Sequence, residues 1–174
     1  MSDPPPITPG DRFADIDAWD HERVEPPHIW HTLGYRRLAW EPGSTTLAWD
    51  ATADYTFPTA SGPIVQGGLV TALLDAGMGG ACWTVLDKDQ AFLTADLRVE
   101  FLRSAGLQTL VAKGWVVRRT RKVVFCAADL HADTLDGPLL ATSRCTQVVL
   151  PATGRAGRYE TAKSDGEPPD DARG

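Results

Sequence analysis

The chain has 174 residues, of which 43% are hydrophobic and 23% charged, with a formal net charge of −6. That is enough for one domain with a real core, and the acidic balance argues against non-specific nucleic-acid binding, which needs a basic footprint. The three cysteines, Cys82, Cys126 and Cys145, are odd in number, sit in apolar segments and form no close-spaced metal pair, so they read as buried free thiols of a reducing compartment.

Residues 1–10 are rich in proline and are expected to form a flexible arm. Met-Ser-Asp-Pro-Pro-Pro has neither the basic nor the apolar region of a secretory signal, which points to the cytoplasm. Phe13, Ile16 and Trp19 recur at helical spacing and predict a short surface helix from Asp11 to about Val24, stopped by Pro26-Pro27. His28 and His31 flank Trp30, but no carboxylate or cysteine stands at a ligand-like interval, so no metal site is assigned. Leu33–Trp40 predicts a first strand, and Leu47 to Phe57 a second, alternating one ended by Pro58. Thr59 to Pro63 is expected to be a loop.

Gly67 to Trp83 predicts a helix with apolar residues on nearly every side, which is the pattern of a buried element. It is about 18 residues long and carries a carboxylate and several glycines, which fits a membrane span poorly. Asp75 is the exception: a carboxylate in such surroundings needs a partner or a function. It follows Gly67 by eight residues, about 12 Å at ~1.5 Å per residue. Gly67 and Gly68 open the helix, where unpaired N–H groups favour a negative charge or a polarised carbonyl.

After the polar connection Asp87–Gln90, Leu93, Ala95, Leu97, Val99 and Phe101 alternate with Thr94, Asp96, Arg98 and Glu100, predicting a strand. Leu107–Val117 predicts another, in which Gly114 marks a bend, bulge or close approach. Val123–Ala132 and Leu139–Leu150 predict two more. Arg118, Arg119, Arg121 and Lys122 place four positive charges in five residues, a match for phosphate groups. From Pro151 the composition predicts a disordered tail, leaving one domain over residues 11–150. No nucleophile elbow of the Gly-x-Ser-x-Gly type occurs. Asp75 remains available as a general base or as a nucleophile.

The run from Val65 to Gly79, with Gln66-Gly67-Gly68 and Leu74-Asp75-Ala76, resembles the central motif of hotdog-fold thioesterases of the phenylacetic-acid-degradation (PaaI-like) type. The similarity continues through Thr94–Arg103, the basic hairpin and Gly137–Thr142, and covers roughly residues 45–150. The resemblance implies an α+β hotdog fold, a long central helix wrapped by a curved antiparallel β-sheet. It implies an acyl-CoA thioesterase that needs no cofactor, binds neither nucleic acid nor membrane, and works as a homodimer or homotetramer with active sites between subunits. Carried over, Asp75 is the catalytic carboxylate, Gly67 the donor to the thioester carbonyl, and Thr94 an orienting hydroxyl. Gly68, Arg118, Arg119, Arg121 and Lys122 would bind coenzyme A. Gln66, the fourth catalytic candidate, stands where the family usually has histidine; glutamine still donates and accepts hydrogen bonds but takes no proton near neutral pH. The chain also has no asparagine, which some relatives use to orient water. Those departures favour one alternative, a non-catalytic acyl-CoA-binding or structural oligomer; a second, a dehydratase or hydratase of the same fold, normally wants a histidine–carboxylate arrangement at the helix entrance, which this sequence does not show. Phe57, Met78 and Trp83 are candidates for an apolar acyl pocket.

Overall fold

The computed structural model describes residues 7–15 and 24–152. Two short helices, α1 (Asp11–Ala14) and α2 (His28–Leu33), precede β1 (Arg36–Glu41) and β2 (Ser44–Asp50). A 3-10 turn (Ala53–Tyr55) leads into a hairpin, β3 (Thr56–Thr59) and β4 (Gly62–Val65), and then the helix α3 (Gly67–Trp83). Four strands follow: β5 (Gln90–Phe101), β6 (Thr109–Arg119), β7 (Val123–Ala132) and β8 (Leu139–Pro151). Six strands form one antiparallel sheet in the order β1-β2-β6-β7-β8-β5, and β3-β4 stands apart.

The α+β class stands, but the expected long helix wrapped by a curved sheet is corrected. α3 has 17 residues, about 25 Å at ~1.5 Å each, and lies against one face of an open sheet whose outer strands, β1 and β5, sit at opposite ends. The helix is limited at both ends by local bonding. The Gln66 carbonyl accepts the first bonds, from the N–H groups of Leu69 and Val70. At the other end the Thr84 hydroxyl donates to the Ala81 carbonyl at 2.7 Å and accepts from the Gly43 N–H at 2.7 Å, fixing the helix terminus to the β1–β2 turn.

Glycine sets how closely helix and sheet meet. A Cβ on Gly114 in β6 would stand 2.3 Å from the Gly77 carbonyl carbon in α3, so the close approach expected at Gly114 is a backbone-to-backbone contact. Val70, Leu73, Leu74, Met78, Ala81 and Cys82 face the sheet and are buried, with Leu47, Trp49, Leu110, Val124 and Leu130 among their core companions. The other side of α3, including Leu69, Ala72, Asp75, Ala76 and Gly79, is only half-buried, so the helix is less enclosed than its composition suggests.

Several element boundaries differ from expectation. Leu33 belongs to α2, and the first strand starts at Arg36. The expected strand from Leu47 to Phe57 ends at Asp50, and the expected loop at Thr59–Pro63 is the tip of a hairpin. Pro58 and Pro63 oppose each other there, which a two-stranded ribbon tolerates because each proline edge faces outward. Gly62, at φ 115°, supplies the turn. Of the expected helix after Asp11, only Asp11–Ala14 is seen; Ile16, Trp19 and Arg23 lie outside the described residues, as does the tail beyond Ala152. The end of the arm and α1 both pack: the Gly10 N–H donates to the Thr84 carbonyl at 3.0 Å, and Phe13 of α1 sits edge-on to Trp40 and Trp83. Among the described residues no helix is long and apolar enough to cross a membrane.

Candidate active site

Asp75 sits midway along α3 and turns toward β5. The Thr94 hydroxyl lies 3.0 Å from Asp75 Oδ1. Burial raises the Asp75 pKa from its ordinary value, and the Thr94 hydrogen bond opposes that rise.

Thr94 reaches Asp75 because β5 is irregular. Regular alternation puts Thr94 on the face opposite Leu97 and Val99. The pairing with β8 slips between Thr94 and Asp96: Thr94 opposes Gln147, Asp96 opposes Thr146, and Ala95 is the extra residue. This β-bulge reverses the phase of the strand. Phe92 and Thr94 before it, and Leu97 and Val99 after it, then share the helix side. Leu93, before the bulge, is 63% exposed, and Phe101, at the end of the strand, is 56% exposed.

Beyond Thr94 lies a residue that sequence reasoning missed. Gln147 is fully buried; its Oε1 is 3.0 Å from Thr94 Oγ1 and its Nε2 is 3.2 Å from Cys145 Sγ. The signal was present in β8, where Ala141, Cys145, Gln147 and Val149 form one inward row and Gln147 is the long polar member. All three cysteines are free and buried. Cys126 and Cys145 are directly opposed on β7 and β8. The Cys126 pKa is raised by its hydrogen bonds to Cys145 and Cys82 and by burial.

Gly67 and Gly68 are the first residues of α3, and Gln66 is its N-cap without a side-chain cap bond. Gln66 is exposed, and its side chain lies over the first turn, since a Cβ on Gly68 would stand 2.7 Å from Gln66 Oε1. The Phe101 ring covers Gly67, 3.3 Å from where a Cβ would be. A cavity of about 470 Å³ opens here, lined by Phe57, Ile64, Gly67, Val70 and Phe101 among others. Of the expected acyl-pocket residues only Phe57 belongs to it. Met78 is buried in the core and Trp83 stacks near Trp40 and Phe13.

One protomer therefore does not bring all the expected residues together. Asp75 and Thr94 meet, while Gln66, Gly67 and Gly68 lie about 12 Å up the helix, at ~1.5 Å per residue. The basic residues form a third locus. Arg118, Arg119 and Arg121 line a cleft of about 980 Å³ with Ile7, Val85 and Trp115 among its walls. Arg118, Arg121 and neighbouring Lys122 are exposed. Arg119 is engaged internally, donating to Asp87 Oδ2 at 2.9 Å and Gln90 Oε1 at 3.1 Å. Among the described residues no group of three or more His, Cys, Asp or Glu could hold a metal ion.

Comparison with known proteins adds the following. The thioesterase superfamily model matches residues 62–138, which span β4, α3, β5, β6 and β7 and include Gly67, Asp75 and Thr94. No curated protein matches. A phenylacetic acid degradation-related protein of Ralstonia eutropha, described as a thioesterase, is 28% identical with a TM-score of 0.65; the match covers 75% of this chain and 97% of that one. A thioesterase family protein of Silicibacter pomeroyi is 25% identical with a TM-score of 0.64, covering 76% and 95%. A thioesterase of Haemophilus influenzae, at 15% identity and a TM-score of 0.67 over 80% and 94%, shares the fold. The motif, the mixed helix-on-sheet architecture and these matches agree: residues 62–138 are similar to the thioesterase superfamily, and the chain shares the fold of these thioesterase-family proteins.

Proposed function

We propose that the protein is a PaaI-like acyl-CoA thioesterase and that Asp75 is its catalytic base. The observation that carries this reading is the half-buried Asp75 carboxylate held through Oδ1 by Thr94, which leaves Oδ2 for a water molecule. Asp75 takes a proton from that water as its oxygen attacks the thioester carbonyl. The tetrahedral intermediate collapses, the carbon–sulfur bond breaks, and the departing thiolate takes the proton back from Asp75.

The carbonyl oxygen needs donors during this step, and the Gly67 and Gly68 N–H groups at the start of α3 have no partner within the helix. One carbonyl cannot touch both Asp75 and Gly67 of the same helix across about 12 Å. Two copies in antiparallel register would bring the Asp75 of one to the helix start of the other. The outer strand β5, with Leu93 and Phe101 exposed, supplies the edge for such pairing. Arg118, Arg121 and Lys122 would hold the coenzyme A phosphates, with Arg119 serving mainly to anchor Asp87 and Gln90. The free thiols fit the cytoplasm, where acyl-CoA is made and used.

The test is thiol release from short, medium, long-chain and aryl acyl-CoAs, with Asp75→Asn beside the wild type. We expect turnover in the wild type and a loss of at least about 100-fold in kcat for the variant, the scale of a lost general base, with acyl-CoA binding retained. Tight binding without turnover across the panel would overturn the hydrolase and favour an acyl-CoA-binding protein, the reading to which Gln66 lends support because it takes no proton near neutral pH.

A further inference from the structure

Thr94 stands between two oxygen atoms and has only one hydroxyl proton. Asp75 Oδ1 and Gln147 Oε1 are each 3.0 Å away. If Asp75 is ionised, both neighbours can only accept, and the Gln147 carbonyl, in a fully buried side chain, is left without the Thr94 proton. An unmade bond at a buried polar atom costs stability because the atom has given up water for nothing. Two arrangements avoid this cost. With Asp75 protonated, its hydroxyl donates to Thr94, Thr94 donates to the Gln147 carbonyl, and the Gln147 amino group points to Cys145 Sγ, as the 3.2 Å contact shows. With Asp75 ionised, the amide is turned over. Its amino group donates to Thr94, Thr94 donates to Asp75, and the carbonyl accepts the Cys145 thiol proton.

The thiol makes both arrangements possible, because sulfur is a weak acceptor and S–H a weak donor. Cys145 is also the titratable neighbour on the facing strands that feels Asp75. Its pKa is lowered chiefly by the hydrogen bond to Cys126, with burial and the Asp75 charge acting in the opposite sense.

We propose that Gln147 is a positioning residue that acts on Asp75 through Thr94, its buried amide reversing between carbonyl and amino contact as the carboxyl gains and loses its proton. The catalytic part of this inference rests on the thioesterase reading; the hydrogen-bond chain does not. Reversal keeps every buried polar atom paired on both sides of the proton transfer, so neither state of the base is trapped.

The test has an arm that needs no turnover. The Gln147 side-chain amide signals and the Asp75 carboxyl carbon are followed by NMR across a pH titration in the wild type and in Thr94→Val, a change at an exposed position. We expect the amide to shift with the midpoint of Asp75 in the wild type and to lose that dependence in Thr94→Val. An amide indifferent to the titration, or one following it equally without the hydroxyl, would overturn the proposal. In the kinetic arm Gln147→Met lowers kcat about fivefold or more, the effect of ~1 kcal/mol, with KM unchanged, and costs nothing further in Thr94→Val. Equal losses in both backgrounds would mark a structural role and overturn it as well. Absence of turnover in the wild type defeats the thioesterase reading and leaves the NMR arm to decide the chain.

Discussion

At the scale of single residues, Asp75 carries opposite consequences for stability and for activity. Its folded pKa is raised by burial, so the folded chain holds the proton more tightly than the unfolded chain does. The stabilising contribution is fully present below the unfolded value, about 3.9, and is lost as pH rises through the folded value. At neutral pH the ionised side chain opposes folding. Asp75→Asn is therefore expected to raise Tm at pH 7, with the gain vanishing near pH 3, as thermal scans at the two pH values would show. Activity runs the other way. A general base must be ionised, so kcat/KM climbs with pH through the Asp75 pKa. Thr94 lowers that pKa by its hydrogen bond, and Thr94→Val is expected to move the acidic limb of the profile to higher pH.

The elements show where periodicity informs and where it misleads. α3 and β7 are legible because their patterns are uninterrupted; β7 runs from Val123 to Ala132 as expected. The hairpin at residues 56–65 is hidden because Pro58 and Pro63 read as breakers, and nothing local says that they face each other across a ribbon. β5 misleads more. Leu93, Ala95, Leu97, Val99 and Phe101 form an unbroken alternating row, yet the bulge at Ala95 places only part of it inward. Asp75 and Thr94 were legible as residues, but their contact and the role of Gln147 depend on that slip. The seating of α3 is open to a direct test. In Gly114→Ala the new methyl meets the Gly77 backbone, which cannot give way as a side-chain tip can. A loss of about 1–3 kcal/mol or more is expected, read from the urea midpoint at unchanged m-value.

For the whole molecule, the separation of Asp75 from Gly67 makes assembly part of the proposed chemistry. Specific activity is expected to fall on dilution as the oligomer dissociates, and sedimentation over the same concentrations should show the two declines together. A constant specific activity down to the monomer would place all the chemistry within one protomer and remove the argument for a shared site. The aromatic contact at the far end of α3 has an optical consequence. Trp40 on β1 and Trp83 at the end of the helix lie with ring centroids 4.7 Å apart, close enough for their electronic transitions to couple. Circular dichroism should carry a paired band of opposite signs from these two indoles. That band reports whether the helix is docked on the strands, and its fading during denaturation can be timed against the backbone signal to show whether docking and sheet are lost together or in turn.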